Sequence, residues 1–400
     1  MPAYIATAYP GSSVTNKNIQ IYDYYTRRLL GMVGPGVPVA PNVMVFSPSG
    51  RFLLITYGGY PPFWHVFDRD AGWGSVAIPT GVNSMQGACF TADEHYCVAT
   101  STVSAVGATL YDTTDWSVVT KLVDSGSVYG ATLSPDGAAL VVYGGASPYL
   151  WVFDTSDWSA ISVASPGVPC YGAAFSPDGS EVLLSLNTSP YLKLIDTSDW
   201  TYKAAISAAA ARSGRGCVYT PDGAVAVNLT SASPYIDRYD TSDWSMMPAL
   251  SDTYPAPTSS GGNQITITPD NKYLMYPGSV SGSAGTGYVA IRLADWKSVG
   301  PGAFPYSPLE LKLTACVKGS PLEVRGEVRD IDGYVAARRV RAYVRETGQL
   351  CAETVSSGGD GSYSLELYEG DAEYDIQFMA DPLENLNDLF YARTTGGTVP

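Results

Sequence analysis

The stretch from Ser134 to Trp158, SPDGAALVVYGGASPYLWVFDTSDW, recurs with variations along most of the chain. It opens with a Ser-Pro-Asp-Gly turn, in which Pro presets the backbone and Asp accepts local backbone hydrogen bonds. Two apolar runs, Ala139 to Tyr143 and Tyr149 to Phe153, are too short and too rich in β-branched and aromatic residues to be helices. The unit therefore predicts strand, turn, strand, turn.

Turns of this kind repeat at intervals of 42 to 48 residues, and a corner ending in Trp follows each of them. A period in the low forties with four short strands per unit is typical of a β-propeller blade, because one sheet cannot bury both of its faces without neighbours. The turns begin at Ser47, Thr91, Ser134, Ser176, Thr220 and Thr268.

A degenerate copy at Phe304 to Pro308 and a lone corner at Ile21-Tyr22-Asp23 predict seven blades. The first blade would lack its innermost strand at the N-terminus, so we expect Gly302 to Pro308 to supply it from the far end. The predicted fold class is all-β: a seven-bladed β-propeller over residues 1–308, followed by a small Ig-like or transthyretin-like β-sandwich.

The repeat resembles the seven-bladed propellers of the YVTN and WD40-like class. Asp154 follows Trp151-Val152-Phe153 much as the Asp of a WD dipeptide follows its strand, although the Gly-His pair typical of WD40 blades is absent. The nearest enzymes of this class are lactonases, which the resemblance implies would need acidic, Arg and His groups near the axis. Arg212 and Arg215 lie in one loop between blades and could contribute.

After Pro308 the repeat stops and strict alternation of apolar and charged residues appears, as in the strand from Arg339 to Arg345. Turn signals at sandwich-like intervals separate such strands. These patterns predict a linker over 309–321, a sandwich over 322–394 and a short tail over 395–400.

The stretches Val324 to Gly333 and Asp360 to Leu365 resemble the carboxypeptidase-regulatory-like, transthyretin-like family. The closing Asn387 to Arg393 is similar to the end of the version found in tailed-phage virion proteins. The resemblance implies an accessory module that docks or displays a partner without chemistry of its own. Its Arg stripe could dock on an acidic neighbour or form a solvated strand face: Arg339, Arg341 and Arg345.

Propeller geometry places the repeat's loops on two rims. The turn rim carries the Ser-Pro-Asp-Gly turns and the Trp corners, whose Trp rings we expect to fill gaps between blades and whose Asp side chains we expect to cap the backbone. The tyrosine rim carries the remaining loops, where Tyr and Pro collect; its rings could bind a sugar or a protein, or pack on neighbouring loops. The candidate binding residues are Tyr60, Phe63, Tyr129, Tyr149, Tyr171, Tyr191 and Tyr235.

Composition and residue spacing limit the partners and the reactions that we expect for the chain. A net charge of -15 opposes contact with a phosphate backbone, so nucleic acid is not expected as a partner. The two histidines, His65 and His95, do not converge on the predicted loops, and no metal-ligand spacing occurs. We predict no catalytic residue, no metal and no cofactor. The six cysteines are expected as reduced thiols, although Cys89 and Cys97 could face each other across a hairpin.

Together these features predict a non-enzymatic structural or adhesion component of a phage virion, associated with the tail. The expected partners are other virion proteins and a host-surface glycan, with oligomers forming in the assembly. The start, MPAYIATAYPGSS, lacks the features of an export signal, and no apolar run is long enough to cross a bilayer, so we expect synthesis in the host cytoplasm and location in the virion. The alternatives are a propeller enzyme of the lactonase or glycoside hydrolase type and a bacterial cell-surface binding scaffold.

Overall fold

The structure is a computed structural model. In the residues that it describes, the chain is all-β. It divides into two compact units, one of 6–21 and 31–316 and the other of 1–5, 22–30 and 317–400. The described residues are 4–8, 19–23, 29–34, 43–57, 61, 63–79, 83–103, 106–124, 126–203, 206, 211–250, 256–257, 265–268, 271–279, 286–299, 314–316, 321–327, 339–344, 349–368, 374–379 and 389–394.

The strands from the N-terminus to Cys316 follow one another in the pattern that the repeat predicts. The first three are β1 (Tyr4–Ala8), β2 (Ile19–Asp23) and β3 (Leu29–Val33). Next come β4 (Val43–Phe46), β5 (Phe52–Thr56), β6 (Trp64–Asp68), β7 (Gly74–Ser75), β8 (Met85–Phe90), β9 (Tyr96–Ser101), β10 (Ala108–Asp112), β11 (Val118–Val123), β12 (Val128–Leu133), β13 (Ala139–Gly144), β14 (Leu150–Asp154) and β15 (Ala160–Ile161). The series ends with β16 (Cys170–Phe175), β17 (Glu181–Leu186), β18 (Leu192–Asp196), β19 (Thr201–Tyr202), β20 (Gly214–Tyr219), β21 (Val225–Thr230), β22 (Ile236–Asp240), β23 (Thr266–Ile267), β24 (Tyr273–Ser279), β25 (Thr286–Arg292), β26 (Lys297–Val299) and β27 (Thr314–Cys316).

These strands form six antiparallel sheets of consecutive strands, arranged as a β-propeller: β4 to β7, β8 to β11, β12 to β15, β16 to β19, β20 to β22 and β23 to β26. The sheet of β20 to β22 has an isolated bridge, Tyr239 with Met246, where the others have a fourth strand. The first strands of neighbouring sheets contact each other, so they are the innermost strands of the blades.

The described chain has six uniform blades, whereas the sequence predicts seven. In place of a first blade there is a composite sheet with the strand order β27, β1, β2, β3. Because the N-terminal segment lacks an innermost strand of its own, the far end of the unit completes it. The strand that does so is Thr314–Cys316, which falls in the stretch expected as a linker and lies against β4 on one side and against β23 and β24 on the other. Gly302 to Pro308, the stretch expected in this role, lies outside the described residues.

Each Ser-Pro-Asp-Gly turn is closed by its own polar groups. In the third turn, the Gly137 amide donates to the Ser134 carbonyl at 2.9 Å, and the Asp136 carboxylate accepts from the Ser134 hydroxyl at 2.6 Å and from the Ala138 amide at 3.0 Å. Gly137 has a φ of +76°, a conformation that costs glycine little and most other residues more. The sequence signature therefore encodes both the bend and its capping.

The core lies in the seams between blades. All six residues of β13 are buried, because this second strand is covered on both faces by neighbouring sheets. Val141 and Val152 of one blade belong to the same apolar cluster as Leu184 and Ile195 of the next. Continuous apolar runs in the second and third strands are the sequence counterpart of this two-sided burial.

The repeated Trp residues lie in these seams. Trp116 is 2% exposed and contacts Phe52 of the preceding blade, with ring centroids 5.5 Å apart. Trp158 contacts Tyr96 of its preceding blade at 5.6 Å, and the guanidinium of Arg238 lies 4.7 Å from the ring centroid of Trp296. The packing role expected for these rings is what the contacts show.

The C-terminal unit contains two further antiparallel sheets. Their strands are β28 (Pro321–Glu327), β29 (Arg339–Val344), β30 (Gln349–Val355), β31 (Ser362–Tyr368), β32 (Tyr374–Met379) and β33 (Leu389–Thr394). One sheet pairs β28 with β31, and the other has the order β30, β29, β32, β33. Buried side chains alternate along the strands as the sequence predicts, on Val340 and Ala342 in one sheet and on Tyr363 and Leu365 in the other. The Ig-like assignment and the domain boundaries stay predictions.

Candidate functional site: the tyrosine rim

Four innermost strands in a row carry a β-bulge at their second residue. The register of each with its neighbour shifts at this point, between Met85 and Gly87 in β8 and at the equivalent places in β12, β16 and β20. A bulge re-aims the extra side chain and is a built feature of a sheet. We call the four bulged residues the bulge ladder: Gln86, Tyr129, Tyr171 and Arg215.

A glycine follows every residue of the ladder. At Gly87 and Gly172 the adjacent blade leaves no room for a side chain, and at Gly130 the ring of Tyr143 in the same blade does so. A Cβ added to Gly172 would lie 2.7 Å from the Cα of Gly216 in the next blade, and one added to Gly87 would lie 3.1 Å from the Tyr129 carbonyl oxygen. The backbone is thus the same in all four blades while the bulged side chain varies.

Three members of the ladder contact one another across the blades. The rings of Tyr129 and Tyr171 are stacked, with centroids 5.1 Å apart and planes 15° apart. The guanidinium of Arg215 lies 5.9 Å from the Tyr171 centroid. Burial and the neighbouring Tyr171 raise the pKa of Tyr129, so its hydroxyl keeps its proton. All four side chains are half-buried, so their outer edges remain accessible.

A buried polar layer supports the ladder where β20 begins. The Arg212 guanidinium pairs with the Asp237 carboxylate, whose side chain is 0% exposed, and Arg212 Nε donates to Asp237 Oδ2 at 3.2 Å. In the seam with the preceding blade, the buried Ser185 hydroxyl donates to Asn228 Oδ1 at 2.6 Å. These contacts fix the segment that leads into Arg215.

The second set of candidate residues lies in the turns between the second and third strands. Phe63, Tyr149, Tyr191 and Tyr235 all have a left-handed backbone, with φ between 66° and 72°, and in the last three the preceding Ser-Pro bond is cis. Each turn is closed by its aromatic residue, as when the Gly144 amide donates to the Tyr149 carbonyl at 3.0 Å. These turns therefore present the aromatic ring at one fixed place in each blade.

The rings in these turns differ in how the fold uses them. Phe63 packs against the apolar cluster of its own and the next blade. For Tyr149, Tyr191 and Tyr235, which are half-buried, the described part of the chain offers no hydrogen bond to the hydroxyl and no ring contact. Within the described chain their hydroxyls are thus left without a hydrogen-bond partner.

In one blade the Tyr129 hydroxyl packs against the turn that carries Tyr149. A Cβ at Gly145, four residues before Tyr149, would collide with the hydroxyl group of Tyr129. Tyr60 lies outside the described residues. In the C-terminal unit Arg339 is exposed and Arg341 half-buried, each already engaged in a contact, and Arg345 also lies outside the described residues.

The turn rim has a polar cleft of about 360 Å³ between the fourth and fifth of the uniform blades. At its wall Glu181 accepts from the Tyr219 hydroxyl at 2.9 Å and from Lys203 Nζ at 3.0 Å. Asp178 also lines the cleft, and the donated hydroxyl hydrogen bond of Ser176 lowers the pKa of its carboxyl to about 2. The carboxylates of Glu181 and Asp178 are therefore hydrogen-bonded to neighbouring side chains.

The remaining titratable groups are dispersed. His65 packs between Tyr57 and Phe67, and burial lowers its pKa, whereas His95 lies 3.9 Å from Asp112 on the turn rim. Cys89 and Cys97, on paired strands, are both free thiols, and burial raises the pKa of Cys89 to about 12. Among the described residues no group of His, Cys, Asp and Glu could hold a metal ion. No helix in that part of the chain could span a membrane.

The comparisons with known proteins bear on the fold. A scan of protein-family models and a search of curated proteins find no match. A functionally unknown protein from Desulfotomaculum acetoxidans is similar in structure, with a TM-score of 0.60 and 13% identity over 79% of this chain and 99% of that one. Hydrazine synthase from Kuenenia stuttgartiensis has a TM-score of 0.49 and 16% identity over 70% of this chain and 87% of its own. The similarity to the Desulfotomaculum protein shows a shared fold alone.

Proposed function

We propose that the protein is a non-enzymatic binding component of a phage virion, associated with the tail, whose tyrosine rim binds a host-surface glycan. The observation that supports binding is the set of three equivalent, half-buried tyrosines, Tyr149, Tyr191 and Tyr235, which make no hydroxyl hydrogen bond and no aromatic ring contact among the described residues. Tyr offers a large contact area and a hydrogen-bonding tip at low entropic cost. The repeat places one such group on each of three adjacent blades.

The spacing of these tyrosines suits a polymer with repeated features. Each ring contributes a weak contact, and contacts held on one rigid frame act together because the later ones form at high effective concentration. Assembly of several copies on a symmetric tail would multiply the contacts again. A surface polysaccharide supplies the matching repetition.

The placement in a virion rests on the resemblance of Asn387 to Arg393 to phage virion modules. In this proposal the C-terminal unit is a transthyretin-like sandwich that anchors the chain to a neighbouring virion protein. The stripe of Arg339, Arg341 and Arg345 would meet an acidic surface there. Mass spectrometry of purified phage particles from the source should detect the chain among the virion proteins; particles that lack it would reject this placement.

Glycan binding is tested on the full chain with an array of bacterial surface glycans. The variant Tyr149→Ala/Tyr191→Ala/Tyr235→Ala should weaken binding by about tenfold or more, since three contact groups of roughly 0.5 kcal/mol or more each are lost. The matched control is Val118→Ala/Val119→Ala, on the exposed outermost strand β11 (54% and 47% exposed). Equal signals from all three proteins, with unchanged melting temperatures, would reject the tyrosine rim as the binding surface.

A further inference from the structure

Two arginines lie three residues apart on the tyrosine rim and have different partners. Arg212 is paired with the buried Asp237, so its charge is neutralised inside the fold. Arg215 stands over Tyr171, and nothing among the described residues forms an ion pair with it. One charge is therefore neutralised within the fold, and the other lies on a half-buried side chain at a bulge.

Arg215 is an unusual group for this protein. The chain has 23 Lys and Arg residues against 38 Asp and Glu, so the average field repels anions. A cation on the tyrosine rim with no ion-pair partner among the described residues is a local exception, because it attracts anions. Its guanidinium has five N-H donors in a planar fork whose geometry matches a carboxylate.

The neighbours of Arg215 favour a sugar over a bare anion. Tyr171 and Tyr129 continue the ladder with two phenol groups, and Gln86 ends it with an amide. Tyr171 is stacked on Tyr129 on its ring face and has Arg215 5.9 Å from its centroid, so its phenol hydroxyl is the group that can exchange hydrogen bonds with sugar hydroxyls. A guanidinium next to a row of phenol and amide groups is suited to a sugar ring that carries a carboxylate.

We infer that the bulge ladder is a subsite for a carboxylate-bearing sugar, with Arg215 binding the carboxylate and the edges of Tyr171 and Tyr129 binding the ring hydroxyls. This inference rests on the proposed glycan-binding function and specifies the class of glycan. The subsite discriminates acidic from neutral sugars, while the tyrosines of the turns provide contacts that do not depend on charge.

The test compares trigalacturonic acid with its methyl ester, which has the same rings without the charges. Dissociation constants for the full chain are measured by calorimetry at low and at physiological salt. We expect the acid to bind at least about tenfold more tightly than the ester at low salt, and the ratio to shrink as salt rises, because the contact is charged.

Three single variants test whether Arg215 causes the preference for the acid over the ester. Arg215→Gln should bring the acid down to the affinity of the ester, and Arg215→Lys should keep part of the preference, since it retains the charge but not the fork. Arg51→Gln, which removes the same charge from the turn rim where Arg51 pairs with Asp68, should leave the preference unchanged. Melting temperatures check that all three variants fold.

The outcomes separate the inference from the proposed function. Equal binding of acid and ester to the wild-type chain, or equal losses in Arg215→Gln and Arg51→Gln, would overturn the subsite. If the triple tyrosine variant then loses both probes, the proposed function stands without the subsite. If the wild-type chain binds neither probe and no glycan on the array, both are rejected.

Discussion

The two rims of the propeller are built from the same repeat but use their polar and aromatic groups differently. On the turn rim every described Ser-Pro-Asp-Gly turn satisfies its own carboxylate, and the Trp rings fill seams. On the tyrosine rim Tyr149, Tyr191 and Tyr235 make no hydroxyl hydrogen bond and no aromatic ring contact with the rest of the described chain, and the bulged side chains change from blade to blade. The repeat thus uses the polar and aromatic groups of the turn rim for stability, and the tyrosine rim is the surface for which we propose recognition.

The largest effect should come from a seam on the turn rim. Trp116→Ala should lower the free energy of unfolding by about 3–5 kcal/mol, because Trp116 is 2% exposed and contacts Phe52, Trp64 and Phe90, so its removal leaves a cavity. Denaturant unfolding measures the loss. Val118→Ala, two residues along and 54% exposed, should change stability by less than about 0.5 kcal/mol. A loss below about 1 kcal/mol for Trp116→Ala would contradict the seam-filling role.

A smaller effect tests whether the polar layer under the tyrosine rim is structural. Arg212→Ala should cost about 2–4 kcal/mol, because it leaves the Asp237 carboxylate buried without its partner. Asp237→Ala should cost less, since the Arg212 side chain is 24% exposed and can turn to water. Chemical denaturation of both single variants and the double variant gives the comparison. A cost for Asp237→Ala equal to or larger than the cost for Arg212→Ala would contradict this asymmetry.

Much of this contrast is predictable from sequence, because it depends on local and periodic signals. The turns, the blade strands and the seam-filling Trp rings each follow from residues within one repeat. The Tyr-Pro loops also follow, since Pro148 and Tyr149 recur at the same place in later blades. These features require no knowledge of which segments meet in space.

The parts that could not be predicted depend on pairing between distant segments. A bulge is a property of two strands in register, and its sequence trace is only the glycine after Gln86, Tyr129, Tyr171 and Arg215. Arg212 and Asp237 are 25 residues apart with no periodic relation. The strand that completes the composite sheet, Thr314–Cys316, has three residues, too few for an alternating pattern to show.

The smallest effect is a titration confined to the turn rim. Asp178 has its carboxyl pKa lowered from 3.8 to about 2 by the hydroxyl hydrogen bond of Ser176 and the amide hydrogen bond of Ser180, and the same kind of contact lowers the pKa of Asp136 and Asp222. A pKa depressed by folding stabilises the protein above the unfolded value, and this stabilisation is lost as pH falls through the folded value. The melting temperature should therefore fall between about pH 4 and pH 2.

Two variants test whether Asp178 contributes to this fall. Asp178→Asn, which keeps an acceptor oxygen but cannot titrate, should make the fall shallower, whereas Asp124→Asn, at a side chain 79% exposed, should not. Identical melting profiles for Asp178→Asn and Asp124→Asn over this range would mean that the turn carboxylates do not stabilise their rim in the way that their hydrogen bonds indicate.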